Sequence, residues 1–556
     1  MKLTCKKILA CLLALLLLCG CAACTPQTPE ETLPESKAWL SNPLNVVDDK
    51  YRTFYEIFVY SFYDSNGDGI GDLKGVQEKL DYLNDGDPAT DTDLGINGIW
   101  LMPIMPSPTY HKYDTTNYKE IDPKYGTLED FKALLDECHK RGINVIIDLA
   151  MNHSSTGHPW FLEACKYIRE LPAGKEPDPA ECPYVAYYNF KQNPSGTGYS
   201  LVPGSTKWFY ECQFWSGMPD LNLNNPAVRK EFEEISKFWL DMGVDGFRLD
   251  AVKEFVTGAH KNNVEILRWF NDYVKSVSPD CYLVCECWVD VNTYAQYYAS
   301  GVDSMFDFHF GQSGGVIAGV LKGSKHASTY AKAMANNEAL YAQYHTGFIN
   351  APFYTNHDMG RTAGYYAGDT SAAQTKMGNA MNLLMTGNVF LYYGEELGMK
   401  GSGKDENKRA PMYWSKDASA PGMTLGPAGM DPVKHKFDSL AEQLADESSV
   451  YNYVKQAIKL RNQQPAIARG KVTFHESYST EKICVFSKTY ESTELLLVLN
   501  PTAEAITHSL EGLTVQGKAV QELSVLGELL TGADEAICSG NSVTMPPFSI
   551  LVLGAK

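Results

Sequence analysis

From about residue 50 to about residue 465, short apolar runs alternate with segments whose apolar residues recur every three to four positions. The runs at 55–60, 98–103, 144–149, 244–250, 282–286, 304–308, 351–355 and 389–393 have the length and composition of strands. Between them, 128–141, 228–242 and 264–276 have the period of amphipathic helices. Eight strands alternating with helices predict an α/β fold, a parallel (β/α)8 TIM barrel. An open doubly wound sheet shares the alternation. The count of eight favours the barrel, as do the polar residues clustered at the C-terminal end of nearly every strand.

Two stretches break the pattern. After Asn152-His153 the chain runs about seventy residues before the next clean helix, far beyond a usual loop. This predicts an inserted subdomain, residues 154–224, lying over the barrel mouth. The barrel then comprises 46–153 and 225–468. Past Pro465, short alternating or apolar runs such as 495–499 and 549–553 replace the helical period. Residues 469–556 are therefore expected to form a C-terminal antiparallel β-domain.

Composition adds location and partners. A chain of 556 residues exceeds one ordinary core. Its net charge of −19 argues against nucleic acid or an anionic membrane face as partner. Aromatic content of 12% mildly favours a carbohydrate ligand, since aromatic faces stack on sugar rings. Lys2, Lys6 and Lys7 precede an apolar run too short to be an ordinary spanning helix, followed by Leu18-Cys19-Gly20-Cys21. This resembles a bacterial lipobox. It implies a signal peptide over 1–20, lipid on Cys21, a Pro-, Thr- and Glu-rich tether over 21–45, and attachment to the outer face of a bacterial cell membrane. A plain secretory peptide is the other reading. Ten cysteines follow Cys21. Cys182 and Cys212 are candidates to pair, whereas Cys285 and Cys287 read as small buried residues on a strand.

The strand ends carry the chemistry. Polar residues stand there at Asp148, Asn152-His153, Arg248, Asp250, Glu286 and Asn356-His357-Asp358. On a strand, Arg248 and Asp250 share a face. Three acids at one barrel mouth, Asp250, Glu286 and Asp358, suit retaining glycoside hydrolysis. One carboxylate attacks the anomeric carbon while a protonated one donates to the leaving oxygen. Arg248 is expected to keep Asp250 ionised, and neighbouring carboxylates and apolar groups to keep Glu286 protonated.

Taken in order, Asp148 to His153, Gly246 to Glu254, Glu286-Cys287-Trp288 and Asn356-His357-Asp358 resemble the four ordered regions of the α-amylase family, glycoside hydrolase family 13. The resemblance runs from about residue 50 to the C-terminus. It implies Asp250 as nucleophile, Glu286 as acid/base and Asp358 as transition-state stabiliser. It also implies Arg248, His153 and His357 as contacts to the cleaved glucose ring, with Tyr113 stacking beneath it. Asp114, Lys253 and Arg361 complete the implied substrate contacts. The segment 405–414 resembles a substrate-side loop of oligo-1,6-glucosidase-like members, although packing is an equal reading for Trp414.

Asp64-Ser65-Asn66-Gly67-Asp68-Gly69-Ile70-Gly71-Asp72 sets oxygen-bearing side chains at alternating positions, with glycines for tight turning. It departs from the EF-hand pattern because Gly75 holds the twelfth position. It resembles the calcium loop of oligo-1,6-glucosidase-like members, which implies Ca2+ on Asp64, Asn66, Asp68, the Ile70 carbonyl and Asp72. An Asx-rich turn is the bland reading. Ala251 and Lys253 resemble α-1,4-acting members. Met218 to Asn222 resembles a group between oligo-1,6-glucosidase-like and neopullulanase-like members. The expectation is a monomeric α-amylase acting on starch and maltooligosaccharides. An α-glucosidase or 4-α-glucanotransferase is the near rival, and a non-catalytic sugar-binding lipoprotein the remote one.

Overall fold

The computed structural model describes residues 35–555. The expected signal peptide over 1–20 and the expected lipid site at Cys21 lie outside the described residues. The barrel is a parallel sheet of β1 (Thr53–Ile57), β2 (Gly98–Leu101), β3 (Asn144–Leu149), β7 (Gly246–Leu249), β8 (Tyr282–Cys285), β9 (Ser304–Met305) and β10 (Val389–Tyr392). Strands β4 (Phe190–Gln192), β5 (Tyr199–Leu201) and β6 (Trp208–Glu211) belong to the insert. The run expected at 351–355 forms no strand. It closes the ring through two parallel bridges, Phe306 to Ala351 and Phe353 to Phe390. The expected helices appear as Leu128–Lys140, Pro226–Met242 and His260–Val277.

The period of two sorts each strand into layers. Phe54, Ile146 and Tyr282 lie in one interior cluster with Phe306, Phe353 and Phe390, and the rings of Phe54 and Phe390 stack at 4.8 Å. Two residues further along β1, β3 and β7 stand Glu56, Asp148 and Arg248. The apolar lower layer therefore carries a charged layer above it. Gly246 occupies the lower layer because a Cβ there would come within 2.0 Å of the Tyr282 carbonyl oxygen. Asp148 and Arg248 are register partners on adjacent strands, so their side chains rise side by side.

The insert departs from expectation by opening with a regular helix, Pro159–Glu170, with Pro at its first turn and His158 as N-cap. A three-stranded antiparallel sheet follows, built from β4 (Phe190–Gln192), β5 (Tyr199–Leu201) and β6 (Trp208–Glu211). Its return stretch is stitched to the end of β3. The Leu221 amide donates to the Asn152 carbonyl (2.8 Å), and the Ser154 amide donates to the Pro219 carbonyl (3.1 Å). Cys182 and Cys212 are both free thiols, as are all nine described cysteines, so the pairing considered from sequence does not occur. Cys285 and Cys287 are buried, as expected of small apolar residues.

C-terminal to the barrel, Lys471–Phe474, Cys484–Tyr490, Thr493–Asn500, Ser549–Gly554 and Ser524–Leu530 form an antiparallel sheet in that spatial order. The tether expected over 21–45 does not extend through residues 35–41. Residues Glu35–Ser41 form a 3-10 helix, and Trp39 is buried. Gln463 donates to the carbonyls of Trp39 (3.1 Å) and Asn42 (2.8 Å), docking this stretch on the helix Val450–Gln463.

Candidate active site

Arg248 is the hub. Its Nη1 lies 2.9 Å from Asp148 Oδ1 and 2.6 Å from Asp250 Oδ1, and its Nη2 lies 2.6 Å from Glu286 Oε2. The side chains of Arg248 and Asp148 have no exposure, whereas Asp250, Glu286 and Asp358 keep 11, 12 and 33%. The three acids therefore line the opening, with the cation behind them. The same guanidinium holds Asp250 on Nη1 and Glu286 on Nη2, and the two carboxyls stand close enough to shift each other's proton affinity. That closeness belongs to the retaining class, whose carboxyls stand about 5–5.5 Å apart, and not to the inverting class at about 6.5–9.5 Å.

Arg248 faces three carboxyl groups, Asp148, Asp250 and Glu286, and one guanidinium cannot neutralise all three, so the cluster favours a proton on one of them. Burial, reinforced by Asp250 and Asp358 against the pull of Arg248, pushes Glu286 up to about 7. Asp250 departs from the sequence expectation. Burial raises its pKa above the ordinary value, and Arg248 only partly offsets this. Asp358 goes the other way. Burial opposes its charge, but His357, Arg409 and Arg248 together hold it well below the usual carboxylate range.

The remaining site residues cluster around these acids. The Tyr113 hydroxyl donates to Asp148 Oδ2 (2.9 Å) and lies 2.8 Å from His357 Nε2, so its place in the constellation is fixed by hydrogen bonds as well as packing. Asp114 is buried and accepts from Ser107 Oγ (2.7 Å) and the Thr109 hydroxyl, which shapes the loop that carries Tyr113. His153 is buried beside Asn152, with Nε2 unpartnered, and burial lowers its pKa to about 4, so it is neutral. The half-buried Lys253 pairs with Glu254 at 3.1 Å. Ala251, next to the nucleophile candidate, adopts φ 47°, and its amide donates to Glu286 Oε2 at 3.3 Å.

Arg361 corrects the sequence reading. It is fully buried, donates to the carbonyls of Tyr393 (2.5 Å) and Lys408 (3.2 Å), and stacks on Tyr392 and Tyr393. It holds the loop after the last strand in place and offers no face to a sugar. Arg409, which the sequence places in the 405–414 substrate-side loop without a role of its own, takes the place at the site. Its Nη2 lies 2.9 Å from Asp358 Oδ1, and its Nη1 donates to the Tyr110 hydroxyl at 3.1 Å. Trp414 packs internally and donates to the Phe62 carbonyl at 2.6 Å. Glu56 was passed over, although an acid inside the apolar run of β1 was the available signal; its Oε1 lies 2.6 Å from His357 Nδ1.

In the 64–72 loop, Asp64 accepts from the amides of Asn66, Gly67 and Gly69 at 2.7–3.0 Å, and Asp72 caps the next helix through Gly75. Asn66 and Asp68 accept from the amides two residues on. Among the described residues, no three of His, Cys, Asp and Glu are grouped to hold a metal. The donor chemistry still suits a hard cation, because a carboxylate has about four lone-pair sites and Asp64 spends three of them on amides.

Residues 56–470 match the family model described as alpha amylase, catalytic domain. "Alpha-amylase 3" of Dictyoglomus thermophilum is 36% identical over 423 residues, covering 76% of this chain and 79% of that protein. Among solved structures, Eubacterium rectale Amy13B is 48% identical with a TM-score of 0.89, over 94% of this chain and 99% of that one. An alpha-amylase from H.orenii is 36% identical with a TM-score of 0.78, over 91% and 100%.

Proposed function

The chain belongs to the α-amylase family, and on that premise we propose that it is a retaining α-amylase cleaving α-1,4-glucosidic bonds of starch and maltooligosaccharides. The observation that carries this reading is the Asp250–Arg248–Glu286 arrangement, in which one buried guanidinium holds two unequal carboxyls 2.6 Å away on either side. Asp250 attacks the anomeric carbon. The glycosidic C–O bond breaks, and its electron pair takes the Glu286 proton onto the leaving oxygen. A glucosyl–Asp250 ester remains. Water then attacks the same carbon, Glu286 takes the water's proton, and Asp250 leaves as carboxylate. Asp358, kept anionic by His357 and Arg409, favours the cationic transition state.

The test is a time course of products from amylose, with Asp250→Asn as control. An endo-acting hydrolase releases mixed short maltooligosaccharides early, with α-configured ends. Glucose alone from the start, or lengthened chains, supports the glucosidase or glucanotransferase reading. Sugar binding without reducing-end release supports a binding protein.

Two further features belong to this proposal. The donor set of Asp64, Asn66, Asp68, Ile70 and Asp72 supports calcium as a structural ion; chelation then lowers the melting temperature, and an unchanged melt in protein free of calcium rejects it. The Leu18-Cys19-Gly20-Cys21 stretch supports lipid anchoring on an outer membrane face. Cys21→Ser then abolishes incorporation of labelled palmitate, and retained label rejects the site.

A further inference from the structure

Behind the barrel mouth, β1 brings a second carboxylate to His357. Glu56 and His357 are both 1% exposed. Glu56 Oε1 lies 2.6 Å from Nδ1, and Asp358 Oδ2 lies 3.1 Å from Nε2. Ionised carboxylate oxygens only accept, so an imidazole between two of them satisfies both by carrying two protons. The Tyr113 hydroxyl agrees with this. Its single proton goes to Asp148 (2.9 Å), so its oxygen accepts from His357 Nε2 (2.8 Å) and from Arg248 Nη1 (3.3 Å). The Nε2 proton is thereby shared between Asp358 and Tyr113. With Glu56 neutralised, the ring has one carboxylate left to oppose the cost of burying its charge.

We propose that Glu56 is a positioning residue that keeps His357 doubly protonated, and so fixes the Nε2–H towards Asp358 beside the reacting sugar. The groups facing the ring from the packed elements are Glu56 on β1, Asp358 on its own segment, Tyr113 on the loop after β2, and Asp148 and Arg248 behind Tyr113. The remaining near face is the Trp100 ring, edge-on at 5.7 Å. Burial works against the charge, but Asp358 and Glu56 outweigh it and raise His357 to about 9. The effect on turnover rests on the hydrolase reading; the protonation state does not.

The test is Glu56→Gln in the mature full-length chain. The amide oxygen still accepts from Nδ1, so shape is kept and charge is lost. The protein has 12 histidines; ring-nitrogen NMR of histidine-labelled protein, assigned with His357→Gln, reads the ring directly. Wild-type His357 is expected to stay doubly protonated through pH 8, and the variant to lose a proton at least about one pH unit lower. The ratio of variant to wild-type kcat/KM should stay near one at pH 5.5 and fall at least about twofold by pH 8. In a His357→Gln background the Glu56→Gln effect should vanish. An unchanged His357 titration overturns the proposal. So does an activity ratio that is flat with pH, or a Glu56→Gln loss that persists without His357, since either marks a merely structural role. The NMR arm keeps its meaning even if the chain proves not to hydrolyse starch.

Discussion

Replacing Glu286 by Gln removes a proton donor with little change of shape, because the amide oxygen still accepts from Arg248 Nη2, now 2.6 Å from the carboxylate. With Glu286 near 7, roughly nine molecules in ten hold the proton at pH 6. The variant forfeits general-acid assistance, a loss of about 10²–10⁴-fold in kcat/KM, or about 2.7–5.4 kcal/mol. The loss depends on the leaving group. Maltoheptaose expels a basic alkoxide and needs the proton, whereas maltosyl fluoride expels an anion that needs none. Steady-state kinetics on both substrates at pH 6 should show the full loss on the first and less than about tenfold on the second. Wild-type kcat/KM on maltoheptaose should fall as pH rises through about 7, and that limb should be missing in the variant. Equal losses on both substrates, or less than tenfold on maltoheptaose, refute the assignment of Glu286 as the acid.

Two further outcomes follow from the packing. Arg409→Met leaves Asp358 without the partner 2.9 Å away; kcat/KM should fall about 10²-fold or more, and an unchanged value shows the pair to be structural only. Trp39→Ala empties a buried site at the helix Val450–Gln463 and should cost about 3–5 kcal/mol of stability with kcat unchanged; a melting temperature equal to wild type rejects the docking of the 35–45 segment.

The barrel was legible in the sequence because its strands are continuous apolar runs and its polar residues fall at their C-terminal ends. The same period of two that put Arg248 and Asp250 on one face puts Glu56 above Phe54, but a single acid inside an apolar strand carries no motif and was passed over. Residues 351–355 look like a strand because Phe353 and Tyr354 are buried; the segment pairs through only two bridges, a tertiary outcome that composition does not encode. Arg361 and Arg409 are the clearest lesson. Both stand near acidic motifs in the sequence. Which one reaches Asp358 depends on how the loop after β10 folds back, and there Arg361 is spent on the carbonyls of Tyr393 and Lys408. Trp39 was hidden by its Pro- and Glu-rich neighbours, whose composition reads as a tether although one buried ring is enough to dock it.

The central claim is that Asp250 forms a bond to sugar. A slowly turning-over fluorosugar, 5-fluoro-α-glucosyl fluoride, should accumulate the glycosyl-enzyme, and peptide mass spectrometry after acid quench should locate the ester. The account predicts one added hexosyl group, on Asp250, absent in Asp250→Asn and lost on incubation with maltose as acceptor. A label on Asp358 or Glu286, or full turnover with inverted product and no label, contradicts it.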